Sequence, residues 1–595
     1  MSKQTINIGA SPNDGTGTPL RTSFDYTNQN FTELYTALGG GVGLPGATTQ
    51  VIFNDGGTNL AGDAGLVYNK TTDKLTVGTN IDIWRGLLND GTSTGVGATT
   101  LAATSGAATG NTALGYRAMY QATTGANNVA VGSSALSAAT MTGSSNVAVG
   151  VSALAASTTS ANTAVGSSAL SIQSGAADYN TAVGVNAGAK ITTGGQNLAL
   201  GSGPMSGAGS ITGNYNIALG NAALSSGSAL SGSDNIGIGR STLNALSTGT
   251  DNIAIGLQAS QQSTTGTQNI CIGRASGSSI STGSNNIFQG YLSGASGNYI
   301  TGTNNIGIGQ DTFKMLSSGI GNVAIGTNAL NKATAANYLV AIGNDAMFKS
   351  NGATRCVGIG EAALSDNVIG NNCTAVGYHA AIRTTGGGNT VFGSEALQGN
   401  IGGTNNTAVG YGTMYINSIG TQNTAVGTGA LFANTGNNCT ALGYNAGNTV
   451  VTSDVTAIGA NALALATGGQ YNCAVGANAM AAGIVTGGVN TAIGTGSGYV
   501  VTSGASNTFI GADAGNTTTT GASNICIGRG AVTSAAGASN ELSIGSATYF
   551  VATNGAAATY FPTAGAGAVI APGTILGFIR FRLNGTLLKL AVYPD

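Results

Sequence analysis

The chain has 595 residues, of which 100 are glycine and only 6% are charged, and its formal net charge is −2. So little charge gives no electrostatic footprint for nucleic acid or for an anionic membrane, and it does not match a charged disordered chain. Seven prolines exclude collagen, and six cysteines do not make a disulfide framework.

Residues 1–40 carry the signal of an amphipathic helix. Thr18 is a candidate N-cap, and Pro19 suits the first helical position. Apolar residues then follow at heptad-like spacing with Thr27 as one polar member: Leu20, Phe24, Phe31, Leu34 and Leu38. This seam predicts docking on partner helices or on copies of the same helix.

No membrane or export signal is evident in the sequence. The N-terminal stretch MSKQTINIGASPNDG has no apolar core of a secretory signal, and no run of about 18 apolar residues occurs. We therefore expect synthesis in a cytoplasm and no membrane insertion.

Residues 41–100 are predicted to be a β connector. The stretch TQVIFNDGGTNLAGDAGLVYNKTTDKLTVG alternates short β-rich runs with Asp-Gly and Asn-Lys turn signals. The preceding GGGVGLPG is rich in glycine, but no Lys-Ser or Lys-Thr follows it, so it is interpreted as a linker rather than a phosphate loop.

Residues 101–545 repeat one phrase, as in NTALG, NVAVG and NTAVG. We number each unit from its last glycine as position 0; the 26 repeat glycines stand 16 to 19 residues apart, at 115, 132, 150, 166, 184, 201, 220, 239, 256, 273, 290, 309, 326, 343, 360, 377, 393, 410, 427, 443, 459, 476, 494, 511, 528 and 545. A fixed period of this size predicts a parallel β-roll or β-solenoid in which each unit packs on its neighbours. At strand spacing the stack would be on the order of 120 Å long.

Each unit contains one strand with two different faces. Position −1 is Val, Ile, Leu or Phe in all units but that of Gln289, and position −2 is small except at Phe288, Val391 and Phe509. Alternation sends these positions to opposite faces. We expect the bulky face to fill the coil and the Ala face to pack on a second copy of the chain, with local bulges or gaps at the three exceptions.

Two further positions predict how successive rungs, the turns of the solenoid, are joined. Position −4 is Asn in 20 units, and identical Asn side chains on successive rungs can form a hydrogen-bonded ladder. The repeat glycine is expected to supply a positive φ. The predicted ladder includes Asn111, Gly115, Asn128, Gly132, Asn406, Gly410, Asn423 and Gly427. Ala at +3 and Leu or Met at +4 suggest a short return strand.

Residues 546–595 are predicted to form a small β tip. GFIRFRLNGTLLKLAVYPD is a hairpin candidate with Asn584-Gly585 as a type I′ turn. Tyr549, Phe550, Tyr560 and Phe561 precede it and could contact a receptor, although packing in the cap is the simpler interpretation. Tyrosines directly after the repeat glycine, at 116, 291, 378, 411 and 444, are interpreted as scattered surface residues.

No catalytic, metal or cofactor site is predicted. The single His379 occupies a variable outer position, and no carboxylate pair recurs at a spacing suited to acid–base chemistry. Each cysteine replaces a repeat residue and is interpreted as a small apolar filler; Cys356 and Cys373 share one slot on adjacent rungs. A depolymerase site assembled between subunits from distant residues stays an open alternative.

Three segments resemble known families. Ile6–Leu38 resembles the N-terminal segment of many tailed-bacteriophage virion proteins, and Val51–Gly78 resembles a connector of phage tail fibres. The repeats resemble the head repeats of trimeric autotransporter adhesins, which form a parallel β-roll in a homotrimer, although the period here is longer. The resemblance implies a trimeric virion fibre that binds tail or baseplate proteins through its N-terminus and a host glycan or protein through its C-terminal tip.

The expected function is therefore structural and adhesive: a non-catalytic phage tail fibre located in the virion, made in the host cytoplasm. The alternatives are a tailspike-like polysaccharide depolymerase and a bacterial cell-surface trimeric adhesin. An ice-binding solenoid is a weaker alternative, because the Thr-rich stretches do not keep a fixed column.

Overall fold

The computed structural model describes residues 92–545, apart from 102–107, 122, 176 and 296, together with the backbone of eight strands in the flanking segments. The chain forms two units, Met1–Ser284 and Asn285–Asp595. Each contains a parallel β-solenoid, and the described residues include no helix. The predicted helix, with Leu20, Phe24, Phe31, Leu34 and Leu38, lies outside them.

The first unit has eleven central strands, one per rung, which pair in parallel with their neighbours in unbroken register. They are Thr94–Val96, Thr112–Leu114, Val129–Val131, Val147–Val149, Thr163–Val165, Thr181–Val183, Leu198–Leu200, Ile217–Leu219, Ile236–Ile238, Ile253–Ile255 and Ile270–Ile272. The rung of Thr94–Val96 precedes the first repeat glycine found in the sequence.

The second unit has sixteen central strands with the same parallel pairing. They are Ile287–Gln289, Ile306–Ile308, Val323–Ile325, Val340–Ile342, Val357–Ile359, Thr374–Val376, Thr390–Phe392, Thr407–Val409, Thr424–Val426, Thr440–Leu442, Thr456–Ile458, Cys473–Val475, Thr491–Ile493, Thr508–Ile510, Ile525–Ile527 and Glu541–Ile544.

Antiparallel strands flank the parallel stacks. Thr48–Asn54, Leu60–Asn69, Lys74–Val77 and Ile81–Arg85 pair in sequence, and the last pairs with Thr94–Val96. After the final rung come Tyr549–Ala552 and Tyr560–Pro562. Gly577–Leu583 and Thr586–Val592 pair separately, with Leu583 opposite Thr586; the predicted Asn584-Gly585 turn lies outside the described residues.

The small face of the central strand lies inside the coil and the bulky face lies outside. Ala130 and Ala408 at position −2 are fully buried, as are Leu136 and Met414 at position +4. Side chains at −1 and −3 are half-buried or exposed; Leu114 at −1 is 47% exposed. The prediction that the bulky face fills the coil is therefore wrong. A coil with three-residue strands is too narrow for two bulky layers, so Ala lies opposite one Leu or Met.

The three large residues at position −2 cause no bulge. Phe288, Val391 and Phe509 are fully buried, and their strands keep the regular parallel register, so the prediction of bulges or gaps is wrong. Space comes from small residues at +4. A Cβ on Gly294, the +4 residue of the same rung, would lie 2.6 Å from the Phe288 ring.

The other two large residues are accommodated in the same way. Phe509 packs against Gly515, the +4 residue of its own rung, and against Gly498, the +4 residue of the rung before. On the rung before Val391, Ala381 takes the place that Leu usually occupies. A larger side chain at position −2 is therefore offset by a smaller one at position +4 of the same rung or the rung before, as expected for a close-packed interior.

The return step is a turn rather than a strand. At the predicted return strands, Leu136 and Leu397 are left-handed, with φ of 49° and 53°, and Ser134 and Glu395 at position +2 have φ of 55° and 56°. Alternating left-handed residues bend the chain sharply, so the prediction of a strand at +3 and +4 is wrong there. Short second strands occur further along three rungs: Ala433–Asn434, Thr449–Val450 and Leu465–Ala466.

This offset between positions −2 and +4 predicts a compensating pair of substitutions. Ala425→Phe should destabilise the fold by about 1–3 kcal/mol, because Leu431 at +4 fills the space opposite. Adding Leu431→Gly should recover part of that loss, since glycine holds this position beside Phe288 and Phe509. Denaturant unfolding of the wild type, both single variants and the double variant gives the coupling energy. Strictly additive effects would contradict the packing described here.

Candidate functional site

The Asn residues at position −4 form a buried ladder that joins successive rungs. The backbone N–H of Asn128 donates to Asn111 Oδ1 at 2.9 Å, and that of Asn423 donates to Asn406 Oδ1 at 3.0 Å. Each side-chain amide also donates to a turn carbonyl; Asn406 Nδ2 lies 2.9 Å from Gly420 O. The ladder pairs polar groups that would otherwise be buried without a partner.

The repeat glycines close the opposite end of each strand. Gly115, Gly132, Gly410 and Gly427 have φ between 128° and 132°. A Cβ on Gly115 would lie 2.7 Å from the carbonyl oxygen of Gly132 on the next rung. Backbone conformation and close approach therefore both require glycine at this position.

The cysteines occupy repeat positions, and all six are free thiols. Cys271 and Cys526 lie in the interior at −2, where burial raises the pKa of Cys271 to about 12 and that of Cys526 to about 11. Cys356, Cys373 and Cys439 replace Asn in the ladder. The N–H of Cys373 donates to Cys356 Sγ at 3.3 Å, and that of Cys439 to Asn423 Oδ1 at 2.8 Å.

The single histidine and most of the charged side chains of the described region lie in turns. The ring of His379 stacks on Tyr378 with centroids 3.8 Å apart, and its Nδ1 lies 3.4 Å from Gln398 Nε2. Among the described residues, no group of three or more His, Cys, Asp or Glu could hold a metal ion. Two ion pairs are seen there, Lys314–Asp311 and Lys349–Asp366.

The predicted receptor-contact residues lie on paired strands near the C-terminus. Phe550 is opposite Phe561, and Tyr560 is opposite Val551; the partner of Tyr549 is Pro562. The structure describes only the backbone of these strands, so the exposure of the four aromatic side chains stays a prediction.

The most extensive candidate surface is the outward face of the central strands, formed by positions −1 and −3. We call these two columns the outward columns. In the described rungs no Lys, Arg, Asp or Glu occupies either column, although the chain contains 38 such residues. Phe392 and Leu442 at −1 are 44% and 48% exposed. Extended uncharged columns of this kind are a candidate interaction surface.

Sequence reasoning assigned this surface to the interior, but a signal of its true position was present. Position −3 lies on the same face as −1, and it is Thr in eleven of the 26 units, as at Thr407 and Thr424. A hydroxyl with no fixed partner in the motif favours an accessible face over the core.

Comparisons with known proteins identify no relative. No family model matches the chain, and neither a curated protein nor a solved structure matches it. Among the described residues, no helix is long and apolar enough to span a membrane.

The ladder predicts that removal of one amide is costly. Asn406→Ala should leave the N–H of Asn423 without its partner, which costs about 1–3 kcal/mol. It should also remove one of the two amide donors to the carbonyl of Gly420, the other being Asn417. Asn344→Ala is the matched control, because Asn344 is exposed and its amide donates only to the neighbouring Asp345. Equal unfolding midpoints for both variants would contradict the ladder as a stabilising element.

Proposed function

We propose that the chain is the structural subunit of a bacteriophage fibre, most simply a tail fibre, that projects from the virion and mediates adhesion to the host surface. Three chains assemble side by side in this proposal. The N-terminal segment binds tail or baseplate proteins, and the C-terminal segment contacts a host glycan or protein. The resemblances of Ile6–Leu38 and Val51–Gly78 support the virion assignment.

The single observation that carries the proposal is the pair of outward columns. Each coil is already filled by its own Ala and Leu residues, so the Val, Ile and Thr of the outer face are not needed for the core. Because these uncharged, mostly β-branched residues recur on successive rungs, the outward columns of neighbouring copies of the chain can pack against each other and exclude water. We call the proposed contact between chains the seam. It is formed by the bulky outward face of the strands rather than by the Ala face.

The repeat also suits a mechanical role. Most rungs repeat the same backbone and Asn hydrogen bonds, so stability is close to a sum over neighbouring rungs. In this proposal adhesion is non-catalytic, and several identical tips on one virion convert weak contacts into avidity.

The oligomeric mass of the native protein tests the proposed assembly. Light scattering of the native protein should give three times 57.6 kDa. Val409→Lys with Val426→Lys puts two buried charges per chain into the seam and should shift the mass to that of one chain. Ile416→Lys with Ile419→Lys is the matched control, because these residues are 52% and 65% exposed on an outer turn. A monomeric wild type, or a lysine pair in the columns that leaves the mass unchanged, would refute the proposed seam.

Cys473 provides a reporter for the same surface. It lies in the outward column at −3 and is partly exposed in the single chain, whereas the other five thiols are buried. A maleimide at pH 8 should modify Cys473 slowly in the assembled wild type and readily in the Val409→Lys, Val426→Lys variant. Peptide mapping identifies the site, and Cys473→Ser controls for other thiols. Equal rates in both proteins would place Cys473 outside any seam.

The non-catalytic assignment has its own test. Purified wild-type protein spotted on a lawn of encapsulated host cells should leave no translucent zone, whereas a depolymerase would produce one. The same preparation should bind to those cells in a pull-down, with the heat-unfolded protein as a control. A translucent zone would favour the tailspike-like alternative.

A further inference from the structure

Three exposed tyrosines lie in one column on alternate rungs. Tyr378, Tyr411 and Tyr444 each follow a repeat glycine, at position +1, and are 44%, 57% and 58% exposed. The two intervening rungs carry Ser394 and Thr428 at the same position. We call these five residues the tyrosine strip.

Backbone hydrogen bonds place the strip in a continuous column. The N–H of Glu395 donates to Tyr378 O at 2.8 Å, and the N–H of Gly429 donates to Tyr411 O at 3.1 Å. The N–H of Asn461 donates to Tyr444 O at 2.8 Å. All intervening strands keep parallel register. Consecutive tyrosines are therefore two rungs apart, about 9.6 Å, and the strip spans about 19 Å.

Side chains beside Tyr378 and Tyr411 stack on one ring and place a carboxylate near the other. One face of the Tyr378 ring is covered by His379. The nearby Glu395 carboxylate raises the pKa of the Tyr411 phenol. Position +2 is glycine beside Tyr411 and beside Thr428, namely Gly412 and Gly429, so no side chain projects there.

The alternation of ring and hydroxyl matches the chemistry of an extended sugar polymer. Rings on adjacent rungs would stack on one another, whereas rings two rungs apart leave a gap for a ligand. An aromatic ring packs on the C–H face of a pyranose, and Ser, Thr and carboxylate groups bond its hydroxyls. In an extended β-1,4-linked chain every second sugar presents the same face, and the length of one disaccharide is comparable to two rungs.

Charge narrows the class of polymer further. No Lys or Arg lies at position +1 or +2 of the five rungs that carry the strip, whereas Glu395 lies at position +2 of one of them. A sulfated or phosphorylated chain would meet no cation there and one carboxylate. A neutral polymer neither leaves an anionic group without a cation nor places one beside the Glu395 carboxylate.

We propose that the tyrosine strip binds a neutral, extended polymer of β-1,4-linked pyranose sugars along the solenoid axis, with one ring contacting every second sugar. The proposal goes beyond the fibre function, which assigns host recognition to the C-terminal segment. It depends on the geometry of the second unit alone, so it can stand if the fibre proposal fails.

Affinity electrophoresis of the full-length protein tests this proposal. Native gels containing hydroxyethylcellulose or glycol chitin should retard the wild type, and gels with dextran, an α-linked polymer, should not. Tyr378→Ser, Tyr411→Ser and Tyr444→Ser combined should raise the dissociation constant about tenfold or more. Serine already occupies this position at Ser394, so the fold should tolerate it. The corresponding triple Phe variant should keep most of the retardation.

Two matched controls separate the spacing from the number of tyrosines. Tyr116→Ser with Tyr291→Ser removes two tyrosines from the same repeat position elsewhere and should change nothing. Ser394→Tyr with Tyr411→Ser keeps three tyrosines but moves one to an adjacent rung, and it should weaken retardation.

Three outcomes would overturn the proposal. In the first, neither hydroxyethylcellulose nor glycol chitin retards the wild type. In the second, the triple Ser variant is retarded as strongly as the wild type. In the third, the triple Ser variant has a different oligomeric mass from the wild type. The last result would assign the strip to a subunit contact.

Discussion

The close approach of successive rungs at the repeat glycine constrains everything else in this fold. A Cβ on Gly410 would lie 2.8 Å from the carbonyl carbon of Gly427, so the corner admits only glycine. Because the corner repeats in every rung, the side chains on either side of it must stack in columns. The interior columns are the Asn ladder and the Ala–Leu core; the outer ones are the outward columns and the tyrosine strip. The sequence therefore repeats because the same steric requirement for glycine recurs at the corner of each rung.

The same constraint explains why leucine adopts a left-handed backbone in this protein. A left-handed residue other than glycine costs roughly 1–2 kcal/mol, and Leu136 and Leu397 both adopt that conformation. Both side chains are fully buried, and burial of a leucine returns about 1.5–3 kcal/mol. The sharp bend is therefore sustained by the core that it creates. Where a Phe enters at −2, the glycine at +4 removes the excess volume and the backbone strain together.

The sequence predicted the rung, its period and its Asn and Gly ladders, because these depend on identity at fixed spacing. It did not predict which face lies inside. Alternation assigns positions −1 and −2 to opposite faces of the strand but does not tell which face lies inside the coil. The general preference for bulky apolar residues in a core then gave the wrong assignment. The decisive quantity was the width of the coil, which depends on the left-handed residues at +2 and +4. Such conformations at Ser134 or Glu395 have no sequence signal comparable to that of glycine.

An outward face of uncharged β-branched residues is also an aggregation hazard, since in-register columns can add further copies without limit. The closed three-fold assembly proposed above would remove the hazard, because each chain would cover its neighbour and no column would stay open. The position of the charges agrees with this. Lys349, Asp366 and Glu395 lie in the turns beyond the strand, outside the outward columns. Charge is thus absent from the outward columns and present in the turns, which is the distribution that the proposed pairing of the columns needs.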